Sequence, residues 1–447
     1  MAAEWANVTI EEIKAAKPNA IAMGPFGSNI KTDNFVPSGV PIIRGNNLNA
    51  ERLLDENFVY LTEEKASELR ASNAFPGDIV ITHRGTLGQV GIIPYNAKYP
   101  RYVVSQSQMK LTVDPQKADP FYVFYFLRSP QGQYALLANT SQTGVPAIAQ
   151  PTTSLKAIII PLPSLDEQRA ISYIISTLDE KIELNRKINQ SLEAMARAIF
   201  KSWFEDFDPV RAKAEGRDLG LPPDLVQIFP DSFEDSELGE IPKGWTARPF
   251  SEFVQIIGGG TPKTTVAEYW GGNIPWFSVA DAPDDGDVYV INTDKKITQA
   301  GLDNSATQLL PEGTTIISAR GTVGKVALVG VPMAMNQSCY GLLGIESGPS
   351  CTYFATRTLV SILKQHGHGS VFNTITRDTL AGINFVSPPK RIFDAFEPAV
   401  APMMQRIKSN LIESRTLTAL RDALLPKLLS GEVRVKDVEK ITTRKQL

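Results

Sequence analysis

Four short stretches of this 447-residue chain bring together residue types that do chemistry in other proteins. Gly258-Gly259-Gly260-Thr261-Pro262-Lys263-Thr264 is glycine-rich enough to wrap a phosphate. It lacks the Gly-Lys-[Ser/Thr] ending that sets a lysine on the phosphates and a hydroxyl on Mg²⁺, so it reads as a turn or a loop along a nucleic-acid backbone. His366-Gly367-His368 offers two imidazoles, but the chain has three histidines in all and no carboxylate pair beside these two. That ligand count is too low for a metal site, and a solvated loop is expected. Pro230-Asp231 begins like a metal-dependent nuclease motif, yet no acidic-x-Lys follows within its segment. Pro388-Pro389 lacks the Asp or Asn before it and the aromatic after it that would hold a flipped adenine. No Gly-rich strand–turn–helix for a methyl donor is visible either. No catalytic residue and no metal ligand is assigned in this chain.

The residues that do stand out are repeated ones. Arg84-Gly85-Thr86-Leu87-Gly88-Gln89-Val90 returns as Arg320-Gly321-Thr322-Val323-Gly324-Lys325-Val326, with Ile79–Ile81 before the first and Ile316-Ile317 before the second. Around them Trp5, Ile10, Glu12 and Ile13 return as Trp245, Phe250, Glu252 and Phe253. Val40-Pro41-Ile42-Ile43 returns as Ile274-Pro275-Trp276-Phe277, and Ser105-Gln106-Ser107 as Asn336-Gln337-Ser338. The matches keep their order, which argues for a duplicated unit rather than coincidence.

Each copy has two parts. The first is about 150 residues of short β-branched runs broken by Gly, Pro and Asn turns, a mixed and mostly β domain. The second is a long helix whose apolar positions alternate by four and three, the seam of a coiled coil. The first helix carries Ile171, Ile175, Leu178, Ile182, Leu192, Ala196, Ile199 and Trp203 on that seam. The second carries Phe396, Val400, Met403, Ile407, Leu417 and Leu424. Each also has one seam asparagine, Asn185 and Asn410. A buried seam Asn fixes register and orientation, so the two helices are expected to pair with each other, antiparallel. Ser164 or Asp166 can cap the first helix, while Pro426 and Gly431 mark where the second weakens and stops. The expected fold is α+β: domains at 1–163 and 245–389, spacer helices at 164–206 and 390–431, an acidic Pro-rich connector at 207–244 and a basic tail at 432–447.

With 43% apolar and 21% charged residues the composition is that of a folded chain rather than a disordered one. No run of eighteen apolar residues occurs, so no membrane span is expected, and Met1–Trp5 does not begin like a signal peptide. The expected location is the cytoplasm, with Cys339 and Cys351 as buried thiols. The net charge of −3 is unevenly spread: residues 161–240 hold 9 basic against 17 acidic groups, whereas 1–160 hold 14 against 13 and 241–390 hold 11 of each. Two neutral outer domains can each present a basic face, so DNA binding is permitted.

Domain–helix–domain–helix closely resembles the specificity subunits of type I restriction–modification complexes. The resemblance rests on Pro161-Leu162-Pro163 with Asp166-Glu167-Gln168-Arg169-Ala170-Ile171 at the entry to the first helix. It rests also on Phe200-Lys201-Ser202-Trp203-Phe204 with Asp206-Phe207-Asp208-Pro209-Val210 at its exit. Gly239-Glu240-Ile241-Pro242-Lys243-Gly244-Trp245 opens the second domain, and Gly24-Pro25-Phe26-Gly27-Ser28 lies early in the first.

The resemblance implies two target-recognition domains reading an asymmetric bipartite site in double-stranded DNA, held apart by helices of about 60 Å at 1.5 Å per residue. It implies two methyltransferase subunits docked on those helices and restriction–translocase subunits beyond them. S-adenosylmethionine, ATP and Mg²⁺ would belong to those partners and no cofactor to this chain. Arg pairs with guanine and Asn or Gln with adenine. The expected DNA-binding residues are therefore Arg44, Asn46, Asn47, His83, Arg84, Thr86, Gln106 and Gln108 in the first domain. In the second they are Lys263, Thr264, Trp276, Ser278, Arg320, Thr322, Lys325 and Gln337. Arg84 and Arg320, being repeated, could instead hold their loop or a phosphate. A methylation-only system and an adaptor that binds no DNA remain as alternatives.

Overall fold

The computed structural model describes residues 5–27, 29–48, 53, 57–141, 144–283, 286–366 and 374–435. Ser28, Gly367, His368 and the tail from residue 436 onward lie outside them. The chain divides into two units, residues 1–180 with 417–447, and residues 181–416.

In the first unit the strand Ile79–Thr82 pairs antiparallel with Val90–Ile92 on one side and Gln108–Leu111 on the other, with Ile21–Met23 beyond. All four of its residues are buried. A sheet wetted on one face would alternate, so a continuous apolar run means both faces are covered. Ile79 and Ile81 pack with Tyr122 and Phe126 of the helix Pro120–Arg128. Val80 faces the other way, against Ile43, Tyr102 and Val104 of a second sheet. In that sheet Val40–Ile43 runs parallel to Tyr102–Val104.

The second unit repeats the plan. Thr315–Ser318 lies between Val326–Val329 and Cys339–Gly344, with Val254–Gly258 beyond. Ile317 packs with Phe354 and Leu359 of the helix Pro349–His366, and Ile316 with Phe277 and Met335. Trp270–Phe277 runs parallel to Ala334–Met335, as its counterpart does in the first unit. Cys339 and Cys351 are both buried free thiols, and burial pushes the Cys339 thiol up to about 12. The 207–244 segment is more than a connector. It forms the helices Asp208–Ala214 and Pro223–Ile228 and a hairpin of Phe233–Ser236 with Gly239–Pro242. Phe207, Val210 and Phe229 join the second unit's core, Phe229 edge-on to Trp203 at 5.0 Å.

Two 40-residue helices, Leu165–Phe204 (central) and Lys390–Leu429 (terminal), carry the seam. Ser164 takes the cap of the central helix, its hydroxyl accepting from Glu167 N at 3.4 Å, while Asp166 lies in the first turn. The terminal helix passes through Pro426 and ends before Gly431, whose φ is +70°.

In the first unit Ile171 and Ile175 are buried with Leu425, Leu428 and Leu429. In the second, Phe396 meets Phe200 and Phe204 edge-on at 5.8 and 5.1 Å. Early residues of one helix meet late residues of the other, so the pairing is antiparallel in both units. Ile171, Ile175, Phe396, Val400, Ile407, Asn185 and Asn410 are buried, and Leu178, Ile182, Leu192, Met403 and Leu417 partly so. Asn410 Nδ2 donates to Asn189 Oδ1 at 2.8 Å, and Asn185 Nδ2 to Ser414 Oγ at 3.2 Å. The 225-residue offset that relates Asn185 to Asn410 also relates Asn189 to Ser414. The two bonds are therefore one bond made twice across a local two-fold.

The same offset relates Ser172 to Glu397, and both tie a spacer helix to the N-terminus of a domain helix. In the first unit Asp119 caps Pro120–Arg128, accepting from Tyr122 N at 3.0 Å, and Ser172 Oγ donates to that carboxylate at 2.5 Å. In the second, Gly348 stands at the cap position and the carboxylate comes from Glu397 itself. It accepts from Ser350 N at 3.1 Å and Ser350 Oγ at 2.7 Å. An acceptor at these otherwise unpaired amides is what the helix start requires; the duplication has kept the acceptor and changed its owner.

Asp179 on the central helix accepts from Arg421 Nη1 at 2.8 Å and from Tyr125 Oη at 3.0 Å, with Arg128 at 3.8 Å. The Arg421 side chain is only 8% exposed. Removing one partner of a buried pair leaves the other charge uncompensated. Arg421→Ala is therefore expected to lower stability by about 3 kcal/mol, read as a shift in the urea midpoint at constant slope. A change below about 0.5 kcal/mol, the range of ordinary surface substitutions, would mean the pair is solvated.

Candidate nucleic-acid interface

The two repeated loops are built by the same backbone bonds. Thr82 N donates to Gln89 O at 3.0 Å, and Ser318 N to Lys325 O at 2.9 Å. His83 N donates to Ser107 O at 2.9 Å, and Ala319 N to Ser338 O at 2.7 Å. On the far side Ile148 N reaches His83 O and Ile375 N reaches Ala319 O, while Arg84 bridges to Ala147 and Arg320 to Thr374. The loop turns through Gly85 and Gly88 (φ +92° and +85°) in one unit, and Gly321 and Gly324 (+75° and +82°) in the other. A side chain at any of these would be strained, which accounts for the Arg-Gly-Thr-x-Gly spacing. Arg84, Thr86, Arg320 and Thr322 come out exposed.

A second shared feature is a close backbone approach. A Cβ on Gly24 would lie 1.8 Å from Ser105 O, and one on Gly259 would lie 1.9 Å from Asn336 O. Only glycine fits either place. The third is a short 3-10 turn after the parallel strand, Gly45–Asn47 in the first unit and Val279–Asp281 in the second. Asn47 Oδ1 accepts from Arg44 N at 3.0 Å, and Asp281 Oδ2 from Ser278 N at 2.8 Å.

In the first unit these features enclose a cleft of about 450 Å³. Arg44, Arg84, Thr86, Gln106 and Gln108 line it, together with Thr82, Gln89, Ser105 and Ser107 over an apolar floor that includes Ile30, Phe35 and Ile42. Among the described residues that line it none is acidic. Part of the polar wall is spent on itself. Ser105 Oγ donates to Gln108 Oε1, Gln108 Nε2 to Thr82 Oγ1 at 3.1 Å, Thr82 Oγ1 to Gln89 Oε1 at 3.0 Å, and Gln89 Nε2 to Gly45 O at 3.1 Å. Gln108 is 1% exposed and Asn47 likewise. Both build the site's frame, and the frame would have to break for either to touch a base.

His83 is also buried; burial holds its pKa below the usual value, so it is neutral at pH 7, and its Nε2 has no partner. Asn46 is exposed on the turn but does not line the cleft. Arg44 is half-buried in the wall, and its Nε is buried with no hydrogen-bond partner.

In the second unit Trp276 occupies the position of Ile42. It is buried against Trp270, edge-on at 5.2 Å, and its Nε1 donates to Gly260 O at 3.0 Å. Trp276 is thus part of the frame and fills the space over the Gly258–Thr264 loop. Lys263 and Thr264 are exposed on that loop, and Gln337 is exposed beside it, accepting from Thr261 Oγ1. Lys325 is exposed and Ser278 half-buried. Thr82, Gln89, Ser105 and Ser107 line the cleft but were not among the expected DNA-binding residues. Gln89 could have been, since it is the repeat counterpart of Lys325. Among the described residues no group of three or more His, Cys, Asp or Glu is placed to hold a metal ion, and no helix is long and apolar enough to cross a membrane.

The family described as type I restriction modification DNA specificity domain matches residues 4–194 and 242–408. The chain is 29% identical over 397 residues to the type I restriction enzyme HindI specificity subunit of Haemophilus influenzae, covering 76% of this chain and 85% of that protein. It is 25% identical over 398 residues to the MjaIX specificity subunit of Methanocaldococcus jannaschii, covering 86% of each. The crystal structure of a type I restriction–modification S subunit from M. genitalium aligns over 95% of this chain and 96% of that one. Its TM-score is 0.57 at 17% identity, a likeness of fold.

Frame and surface residues are expected to separate on unfolding. Gln108→Leu strands Ser105 and Thr82 and should cost about 1–3 kcal/mol. Arg84→Ala, exposed, should stay within about 0.5 kcal/mol of the parent. Thermal melts of both variants check this; equal losses would put Arg84 in the frame.

Proposed function

The chain belongs to the family of type I restriction–modification specificity subunits, and from that premise we propose that it reads an asymmetric, bipartite site in double-stranded DNA, one half-site per unit. The observation that carries this is the pair of loops held by the same backbone bonds in both units, set among side chains that differ. A shared frame gives two equivalent reading surfaces, and unlike side chains give two different half-sites. The bases between the half-sites go unread. Because both units are on one chain, the second half-site is met intramolecularly, so two modest affinities combine.

Methyl transfer to adenine and ATP-dependent cleavage belong to partner subunits in this reading. Two methyltransferase subunits dock along the spacer helices, whose outer faces carry apolar residues in water: Tyr173 in the first unit, Leu184, Met195 and Ile412 in the second. Restriction–translocase subunits complete the complex. S-adenosylmethionine, ATP and Mg²⁺ enter with the partners.

Two experiments test the proposal. Methylated adenines are mapped across the genome of a host holding the methyltransferase partner, with and without this chain. A split, asymmetric motif is expected only when the chain is present, and exchange of residues 1–163 for those of a relative should change one half of it. Unchanged methylation in the two strains would remove the specificity role. In the second, duplex binding by the assembled complex is titrated with salt. The logarithm of affinity should fall linearly with the logarithm of salt concentration, because each phosphate contact releases counterions. Binding indifferent to salt points to an adaptor with a different partner.

A further inference from the structure

The arginines of the first unit's cleft divide their work in a way the duplication exposes. Arg84 and Arg320 are the same residue on the same loop, held by the same backbone bonds and exposed in both units. Whatever they contact must be common to two half-sites that differ, and the feature every half-site shares is its phosphate backbone.

Position 44 is the reverse case. Asn47 and Asp281 do the same capping work on equivalent turns, so the turn itself is conserved while the residue before it changes from Arg44 to Ser278. Arg44 stands in the cleft wall, with no carboxylate among the described lining residues to neutralise it. Three of the amides around it are spent, Gln89 and Gln108 on the frame and Asn47 on Arg44's own backbone N–H, which leaves the exposed Gln106. The Arg44 side chain is half-buried in the wall and its Nε has no hydrogen-bond partner, so the guanidinium is not tied into the frame as those three amides are.

We propose that Arg44 is the base-reading residue of the first unit and that it takes the O6 and N7 acceptors of a guanine in that half-site, while Arg84 and Arg320 hold phosphates. This rests on the DNA-reading function proposed above. The guanidinium fork matches the two guanine acceptors, and serine at the equivalent position cannot make that pair. The half-site read by the second unit is therefore not required to carry guanine at the corresponding place.

The test uses the complex with its methyltransferase subunits and a series of duplexes in which each position of the mapped motif is changed in turn. Parent, Arg44→Ala, Arg44→Lys and Arg84→Ala are compared by competition binding at several salt concentrations. Arg44→Ala is expected to lose discrimination of about 10- to 100-fold at a single base pair. That pair should be one where the parent demands guanine, in the half that exchange of residues 1–163 alters. Arg44→Lys keeps the charge and the turn, so it should bind duplex DNA yet lose most of the same discrimination. Arg84→Ala should weaken every duplex alike and reduce the salt slope by about 1.

A uniform loss with Arg44→Ala would make Arg44 a phosphate contact and overturn the assignment. So would relaxation at a position other than guanine, or no change at all in either Arg44 variant. Should the parent complex show no sequence preference in any duplex, the DNA-reading function fails, and the assignment with it; the parent's own titration separates that outcome from the others.

Discussion

The second unit is built on the register of its helix pair, and that register is fixed by amides rather than by apolar area. Asn185, Asn189 and Asn410 are each no more than 1% exposed. A leucine seam would tolerate a slip of one turn at modest cost, whereas a buried amide left unpaired costs about 1–3 kcal/mol. Opposite Asn410 stands Asn189, and opposite Asn185 stand Ser414 and Glu413, whose carboxylate accepts at 2.8 Å. Lys181 closes the group, donating to Asn185 Oδ1 at 3.1 Å and facing Glu413 at 3.2 Å. Only one antiparallel alignment satisfies all of these. In that alignment Phe396 meets Phe200 and Phe204; in the first unit the helix pair has its own tie, Arg421 to Asp179.

The helices then fix the domains through a contact the duplication has preserved in function but not in residue. Ser172 supports the cap of one domain helix and Glu397 is the cap of the other. A negative group at a helix start answers unpaired amides and the positive end of the dipole together, and it does so whichever element contributes it. The same tolerance runs through the frame. Ile42 and Trp276 hold equivalent places on equivalent strands, but the indole reaches Gly260 O and fills space that the smaller side chain leaves to the cleft. Two surfaces of different shape thus arise on one scaffold without any change in strand order.

Much of this was legible before the structure. The order of repeated pairs gave the duplication, and the four-and-three spacing with Asn185 and Asn410 gave an antiparallel helix pair. The glycines of Arg-Gly-Thr-x-Gly marked the loops because glycine takes such a positive φ without strain. Two things were hidden. The 207–244 segment read as a connector because its apolar residues, Phe207, Val210 and Phe229, are too sparse for any period, and only the aromatic floor under them makes them core. Asn189 was hidden because it lies one turn from Asn185, off the strict seam, and its partner is 221 residues away.

The candidate site was legible in its place but not in its roles, and the reason is general. Asn, Gln and Arg are chosen as base readers for the donors and acceptors they carry, and those same groups make them good at satisfying a buried frame. Asn47, Gln108 and Trp276 have their polar groups occupied inside the protein, whereas Arg84, Thr86, Gln106, Arg320, Thr322 and Lys325 present theirs to water. Residue type cannot separate these groups, because type is what they share. What separates them is whether a partner already stands at hydrogen-bond distance. By that criterion Arg44 belongs to neither group, being inside the wall and still unpaired at Nε. The chain's net charge of −3 does not count against a DNA contact there. Charges act over about 8 Å at physiological salt, so DNA entering the cleft meets the charges of Arg44 and Arg84 and, among the described lining residues, no carboxylate.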